Sequence, residues 1–238
     1  MKSRRRSLVD EVLKGLGKKV DFAEDASEYL NRNRSFSAPY QISHASLFYT
    51  IHPGVFAPDL FEDTFFFMDV IPWRLSGSFL EIGCGAGLIS IKAALKNYDR
   101  VLATDISQAA INNCIANVRL HSLESIVETR ESDVFSNIDP REKFDQIFWN
   151  LPFIWTDKEP DDDLEATLYD LHYRGLKSFL RAAREHANPE ADILLGFSDS
   201  SGQTEAVNVL ADEQGFAIRT VAEKCFDDGF NLQLLKFE

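Results

Sequence analysis

The sequence predicts an α/β protein built on a mostly parallel, doubly wound sheet of seven strands. From Ser78 onward, short apolar runs alternate with longer stretches whose apolar residues recur at helical spacing. Such alternation is typical of strand–helix–strand units with helices on both faces of the sheet. The chain has 238 residues, of which 45% are hydrophobic and 19 are phenylalanine. It is therefore long enough to bury one large core.

Seven apolar runs are predicted to be strands, at 78–82, 100–104, 125–129, 145–149, 192–197, 216–222 and 231–237. Helices are predicted between them, near 87–96, 107–119, 170–187 and 202–213. In folds of this kind, ligands bind beyond the carboxyl ends of the strands. The residues that follow each predicted strand are therefore the first places to look for a functional site.

The segment that precedes the sheet is predicted to be mainly helical. Residues 6–33 place apolar residues at helical spacing among charged ones, and a second short helix is predicted from Phe22 to Leu30. Residues 35–43, SFSAPYQIS, have the composition of a linker. We therefore expect a short N-terminal helical extension, residues 1–45, followed by the main domain, residues 46–238.

Two further elements are predicted between the extension and the sheet. Residues 47–58, LFYTIHPGVFAP, are predicted to form two short strands around a turn at Pro53 and Gly54. The helix that follows contains three consecutive phenylalanines, 65–67, and is predicted to end near Ile71. We expect these rings to pack in the core rather than to enclose a ligand.

Composition and charge argue against several classes of protein. The formal net charge of −13 repels a phosphate backbone, so a nucleic-acid partner is disfavoured. Three cysteines without paired spacing (Cys84, Cys114 and Cys225) are typical of reduced thiols, and we expect a cytoplasmic protein. No uncharged apolar run is long enough to span a membrane, and the five histidines lack metal-ligand spacing, so neither a membrane nor a metal is expected.

A glycine-rich stretch, FLEIGCGAGLIS at residues 79–90, follows the first strand of the predicted sheet. The strand carries Glu81 near its end, and Gly83, Gly85 and Gly87 come before the next helix. Glycines at such a turn let the backbone bend tightly and approach a ligand closely. The dinucleotide fingerprint requires its third glycine at position 88, which is Leu88, so a nicotinamide dehydrogenase is disfavoured.

Acidic residues follow the next two strands. Asp105 ends the strand in VLATDIS, where a carboxylate suits the diol of a ribose. Asp133 follows the third strand, and its apolar neighbour is Val134. This pair suits the amine and the ring face of an adenine. The alternative for Asp133 is a helix cap or a turn residue.

The fourth strand ends in an unusual way, FDQIFWNLPF at residues 144–153. A buried amide needs hydrogen-bond partners, and a proline removes a backbone donor, so Asn150, Leu151, Pro152 and Phe153 are costly there unless a ligand binds. The alternative is that Asn150 caps a turn and Phe153 packs in the core.

Taken together, these motifs resemble the class I S-adenosylmethionine-dependent methyltransferases, over residues 47–237. The closer resemblance is to the subgroup with an Asn-Pro-Pro-Tyr/Phe motif, which includes release-factor glutamine methyltransferases and exocyclic-amine methyltransferases of RNA and DNA. HPGVFAPDLFEDTFF, residues 52–66, extends the likeness, because that subgroup carries a similar hairpin and a similar Asp-Thr helix start. The resemblance implies a Rossmann-like fold with an antiparallel final hairpin, and S-adenosylmethionine as the cofactor.

The resemblance also implies roles for individual residues. The methionine part of the cofactor is expected against Glu81 and the three glycines, the ribose at Asp105, and the adenine at Asp133 and Val134. Thr64 is expected to close over the cofactor, and Asn150 to lie close enough to contact it. In the subgroup the asparagine oxygen and the next carbonyl accept hydrogen bonds from a planar NH2 group, on which the aromatic ring stacks. Position 151 departs from the subgroup, which usually has proline there. Leucine does not fix the backbone as proline does.

The sequence leaves the methyl acceptor open. Acidic residues crowd the segment after the motif, WTDKEPDDDLEA at 155–166, which is either a solvated loop or an attraction for a cationic substrate. The expected acceptor is a planar nitrogen, amide or amine, of a protein or a small molecule. The alternatives are an exocyclic amine of an RNA base, and a non-catalytic protein that binds the cofactor or a partner.

Overall fold

The computed structural model describes residues 23–227 and 229–238. Helix α1, Ala23–Arg34, coincides with the predicted second helix and continues beyond it. The helical spacing noted for residues 6–22 lies outside the described residues. Within the described ranges, no helix is both long enough and apolar enough to cross a membrane.

The predicted hairpin lies elsewhere than expected. Strands β1, Tyr40–His44, and β2, Leu47–Ile51, pair antiparallel, so the prediction of a turn at Pro53 and Gly54 between two strands is wrong, as is the linker at 40–43. The turn consists of Ala45 and Ser46, both with positive φ (48° and 68°). Two-residue hairpin turns of that conformation usually carry Asn-Gly or Asp-Gly, and neither is present here.

Helix α2, Asp63–Val70, carries the three phenylalanines and ends where it was predicted to end. Phe67 is fully buried and Phe66 is nearly so, which confirms that these rings belong to the core. Phe65 is only partly buried, and its ring stacks on that of His44 with centroids 4.6 Å apart. One face of α2 thus packs on the sheet, and Phe65 holds the hairpin against it.

From Ser78 to Phe237 strands and helices alternate along the chain. In chain order the elements are β3 Ser78–Ile82, α3 Leu88–Leu95, β4 Arg100–Asp105, α4 Gln108–Leu120, β5 Val127–Glu131, β6 Phe144–Asn150, β7 Ile154–Thr156, β8 Tyr169–Leu171, α5 Arg174–Ala182, β9 Ala187–Ser198, α6 Thr204–Glu213, β10 Ile218–Cys225 and β11 Asn231–Phe237.

The central sheet has seven strands in the order β10–β11–β9–β6–β3–β4–β5. Neighbours from β9 to β5 are parallel, whereas β11 runs antiparallel to both β9 and β10. The predicted seven-stranded sheet with an antiparallel final hairpin is therefore confirmed. Strands β3 and β6 are buried along most of their length, as expected for parallel strands that are covered on both faces.

The prediction of a long helix at 170–187 is wrong at both ends, because the helix observed there, α5, spans only Arg174–Ala182. Its first residues form β8, which pairs in parallel with β7 as a separate two-stranded sheet, and α5 begins only at Arg174. His172 and Tyr173 adopt left-handed backbone conformations (φ 52° and 51°), which no helix could continue. A short 3-10 turn follows α5, and β9 begins at Ala187, five residues before its predicted start.

Helix α1 packs on the insertion between β6 and α5. A small apolar cluster joins Ala26, Tyr29 and Leu30 of the helix to Leu164 and Leu168 of the insertion. The helix and the insertion together wall one side of the space beyond the carboxyl ends of the strands.

Two buried asparagines connect β2 to α4. The backbone N–H groups of Thr50 and His52 donate to the side-chain oxygens of Asn117 and Asn113, each at 2.8 Å. Both amide groups return a hydrogen bond to the Thr50 carbonyl, and Asn117 also donates to the carbonyl of Ala86 in the glycine loop, at 2.9 Å. The hairpin is thus bonded to a helix and, through that helix, to the loop.

Candidate active site

One cavity of about 510 Å³ lies beyond the carboxyl ends of β3, β4 and β6. Its volume lies in the usual range for small-molecule sites. The sequence-predicted site residues meet in its lining with one exception, and those that line it are Thr64, Glu81, Gly83, Gly85, Asp105, Asp133, Val134, Asn150, Leu151, Pro152 and Phe153.

The exception is Gly87, which caps α3 and is not among the residues that line the cavity. Its φ is +84°, and a Cβ there would lie 2.5 Å from Sγ of Cys114. The position therefore needs glycine for conformation and packing. Gly83 and Gly85 also have positive φ (66° and 52°), but both border the cavity.

Asp105 is fixed by backbone donors on either side. Gly85 N–H donates to Oδ2 and Ser107 N–H donates to Oδ1, each at 2.9 Å. Burial raises the pKa of this carboxyl, those backbone donors oppose the rise, and the carboxylate of Asp163 adds to it. The side chain is thus held still in a site where its charge is costly and a ligand hydroxyl would stabilise it.

Glu81 is buried at the end of β3. Loss of solvation raises its pKa to about 8, although Ser90 of α3 donates a hydrogen bond to its carboxyl. Ser90 is itself fully buried. Sequence reasoning missed Ser90, because its partner lies nine residues away, on the other side of the glycine loop.

Asn150 is held by a residue that sequence reasoning also missed. Its Nδ2 donates to Oδ2 of Asp63 at 2.7 Å, while Oδ1 of Asp63 accepts from the backbone N–H of Thr64 at 2.6 Å. Asp63 is buried, and loss of solvation raises its pKa to about 6. The sequence did contain one signal for Asp63, because Glu62-Asp63-Thr64 places an acid at the first position of an apolar helix.

This bond leaves the oxygen of the Asn150 amide without a partner. Oδ1 is buried and accepts no hydrogen bond from the residues the structure describes. It lies in the space beside Gly196 of β9, where a Cβ would come within 2.9 Å of it. A buried acceptor left unpaired costs about 1–3 kcal/mol, so the arrangement favours a ligand that donates there.

The motif loop is firmly held although position 151 is leucine. Leu151 is almost fully buried, and the hydroxyl of Tyr173 donates to the Phe153 carbonyl at 2.9 Å. The same hydroxyl accepts from the N–H of Gln203 at 2.8 Å. Phe153 packs edge-on against Phe197 and also borders the cavity, so its core role and its site role coexist.

Asp133 and Val134 occupy opposite environments. Val134 is buried, with a positive φ of 50°, whereas Asp133 is exposed. The Asp133 carbonyl accepts from the N–H of Ser136 at 2.9 Å, so its backbone begins a turn, as one alternative predicted. Its carboxylate receives no hydrogen bond from the described residues and remains open to a ligand.

The lining of the cavity is strongly acidic. Its described ionisable residues include one base, Arg174, whose guanidinium lies 2.8 Å from the carboxylate of Glu159. The acids are seven, namely Asp63, Glu81, Asp105, Asp133, Glu159, Asp163 and Asp170. Glu81, with a pKa of about 8, is largely protonated at neutral pH, and Glu159 is paired with Arg174. The other five acids leave a site that attracts cations and repels polyanions.

Comparison with known proteins identifies a family, two relatives and a similar solved structure. A family model described as methyltransferase small domain matches residues 47–218. The chain is 32% identical over 113 residues to a provisionally named protein N5-glutamine methyltransferase of Methanocaldococcus jannaschii, covering 48% of this chain and 54% of that protein. It is 36% identical over 103 residues to the ribosomal RNA small subunit methyltransferase C of Photorhabdus laumondii, covering 42% of this chain and 29% of that protein.

The chain thus covers less than two thirds of the length of either relative. Among solved structures, the fold is similar to that of a 16S rRNA N2 G1207 methyltransferase of T. thermophilus in complex with AdoMet and guanosine, with a TM-score of 0.58 and 17% identity. That match covers 84% of this chain and 50% of the other. At this identity the likeness concerns the fold alone.

Proposed function

The chain belongs to the methyltransferase small domain family, and from that premise we propose that it is an S-adenosylmethionine-dependent methyltransferase whose acceptor is a planar nitrogen of a protein or small molecule. One observation carries the acceptor chemistry. Asn150 lines the cavity, and its amide is oriented by Asp63 so that its oxygen, buried beside Gly196, has no partner among the described residues. An unpaired acceptor in that place suits an N–H donor.

The residues present fit the cofactor. S-adenosylmethionine carries a sulfonium and an ammonium group, which the acidic lining attracts. The fixed carboxylate of Asp105 suits a ribose diol, and Ile106 beside it is an exposed apolar side chain that also lines the cavity. Ile106 and Val134 together offer apolar surface to an adenine ring.

When bound, the cofactor supplies a methyl group on a positively charged sulfur. The part of this chain is to hold an acceptor nitrogen in line with that methyl, because alignment supplies much of the rate in such reactions. Oδ1 of Asn150 and the carbonyl of Leu151 accept the acceptor's N–H groups. The Asn150 oxygen also stabilises the positive charge that develops on nitrogen. Tyr173 keeps the loop in place through the carbonyl of Phe153.

The acidic lining of the cavity supports a protein or small-molecule acceptor over RNA. A relative named as a ribosomal RNA methyltransferase nevertheless supports the RNA alternative, so net charge alone does not exclude a nucleic-acid acceptor. The non-catalytic alternative takes the leucine at position 151, where the subgroup has proline, as a mark of lost function. The buried Leu151 side chain and the hydrogen bond from Tyr173 to the motif loop support the catalytic reading.

We also propose the division into a helical extension, residues 1–45, and a methyltransferase domain, residues 46–238. The β1–β2 hairpin spans that boundary. A cytoplasmic location is proposed as well, and the free state of Cys84, Cys114 and Cys225 supports it.

The test uses tritium-labelled S-adenosylmethionine and three acceptor pools: blocked Ala-Gln-Ala, blocked Ala-Asn-Ala and a structured ribosomal RNA fragment. We expect label in a peptide, and loss of that label in Asn150→Ala with unchanged cofactor binding by calorimetry. Label in RNA alone would replace the proposed acceptor with the RNA alternative. If the protein binds the cofactor but transfers label to none of these pools, nor to a cell extract used as a further pool, the result would support the non-catalytic alternative.

A further inference from the structure

Trp149 precedes the motif asparagine, and neither the sequence motifs nor the fold assigned it a role. It ends the apolar part of β6, is 6% exposed and lines the cavity. Resting on the proposed function, we propose that the Trp149 indole N–H donates a hydrogen bond to the carboxylate of the bound cofactor's methionine part.

The position of the indole is set by two glycines. A Cβ on Gly83 would lie 3.0 Å from Nε1 of Trp149, and a Cβ on Gly175 would lie 2.9 Å from Cη2, at the far end of the ring. The indole thus reaches from the glycine loop to the start of α5, with the centroid of Phe179 5.5 Å from its own. Its polar edge is the edge that meets the loop.

The donor at that edge is unused by the protein. None of the residues in 23–227 and 229–238 accepts a hydrogen bond from the Trp149 N–H. By contrast, the N–H of Trp73 donates to the Met68 carbonyl at 3.1 Å. Trp155 also has an unpaired N–H, but it is not among the residues that line the cavity. Trp149 therefore combines an unpaired donor with a place on the cavity wall.

The surrounding charges point to the carboxylate as the acceptor. The cofactor's methionine part ends in one anionic group, and the cavity lining is dominated by acids that repel it. The N–H of Gly85, a backbone donor of the loop, already serves Asp105. An indole N–H beside Gly83 supplies a neutral donor that a carboxylate can use, and hydrogen bonds to charged groups are the stronger ones.

The test compares two ligands that differ in the carboxylate. S-adenosylhomocysteine retains the amino-acid part, whereas 5′-methylthioadenosine lacks it. Trp149→Phe keeps an aromatic ring and removes the donor. By calorimetry we expect it to weaken S-adenosylhomocysteine binding about tenfold to a hundredfold and to leave 5′-methylthioadenosine binding unchanged. Trp73→Phe and Trp155→Phe are the matched controls, expected to bind both ligands as the wild type does.

A second measurement uses wild-type protein in case Trp149→Phe does not fold. The chain has three tryptophans, so the Trp73→Phe and Trp155→Phe spectra assign the third indole N–H resonance to Trp149. S-adenosylhomocysteine should shift that resonance downfield, and 5′-methylthioadenosine should not. Equal losses for both ligands in Trp149→Phe, or no loss, or equal shifts, would overturn the proposal. Failure of the wild type to bind either ligand would instead overturn the proposed function.

Discussion

Nδ2 of Asn150 lies 2.7 Å from Oδ2 of Asp63, a bond that joins the carboxyl end of β6 to the first turn of α2. An amide has one donor end and one acceptor end. Because the carboxylate accepts from the nitrogen, it determines where the oxygen lies. The orientation of the Asn150 amide is thus decided by a residue 87 positions earlier in the chain.

Asp63→Asn should disturb this orientation. The new amide can pair with Asn150 in either sense, so the Asn150 oxygen is no longer reserved for a substrate. We expect turnover to fall about 10²–10³-fold, the usual effect of losing one preorganised contact, with a much smaller change in cofactor affinity. Single-turnover transfer and calorimetry measure the two quantities.

The control is the exchanged pair, Asp63→Asn with Asn150→Asp. It restores a carboxylate–amide hydrogen bond with the donor and acceptor positions reversed. We expect recovered thermal stability without recovered turnover, since position 150 then presents a charged group instead of an amide oxygen. Full turnover in the exchanged pair would contradict the role assigned to the amide.

Tyr173→Phe should loosen the motif loop. It removes the hydroxyl that bonds the Phe153 carbonyl and the Gln203 N–H, leaving buried groups unpaired. We expect a loss of about 1–3 kcal/mol in the free energy of unfolding and a lower turnover number. Tyr40→Phe is the matched control, since its hydroxyl bonds Asp59 at the surface. Equal stabilities of the two variants in urea denaturation would show that the loop is held by other contacts.

Asp105→Ala should weaken cofactor binding at least about tenfold, because it removes acceptors for charge-assisted hydrogen bonds worth about 1.5–3 kcal/mol each. Titration calorimetry measures the dissociation constant. Asp212→Ala, an exposed change on α6, should leave it unchanged. An unaltered constant in Asp105→Ala would remove the ribose assignment.

The pH dependence of stability should report on Glu81. Its pKa in the folded protein is raised to about 8, so between its ordinary range and pH 8 the folded state holds a proton that the unfolded state has lost. Stability of the ligand-free protein therefore falls as pH rises from about 6 to 8, by up to about 1.4 kcal/mol per unit for one proton. Asp63, whose pKa is about 6, is half titrated at the start of this window and contributes mainly to its lower part.

Glu81→Gln replaces the titrating carboxyl with an amide that does not titrate. Its unfolding free energy should vary less between pH 6 and 8 than that of the wild type, as measured by denaturation at several pH values. Parallel pH profiles for the two proteins would mean that the buried carboxyl does not titrate in this range.

The sequence predicted the sheet and most of the cavity because those signals are local. Apolar runs mark buried strands, and the residues after parallel strands meet at one edge, which brings Glu81, Asp105 and Asn150 together. It did not predict Asp63 as the partner of Asn150, since no local pattern reports a contact between distant elements. The turn at Ala45 and Ser46 was missed because neither residue type signals a positive φ.

The spacing of Asn113 and Asn117 along α4 matches the spacing of two backbone N–H groups along the neighbouring extended segment. Four residues of helix rise about 6 Å, close to the length of two residues of strand, so the two amides match the N–H groups of Thr50 and His52. One residue inserted into either element would put the two out of step. Asn117 also donates to the Ala86 carbonyl of the glycine loop. A ligand that stabilises the glycine loop should therefore slow hydrogen exchange at the N–H groups of Thr50 and His52, even without contacting them.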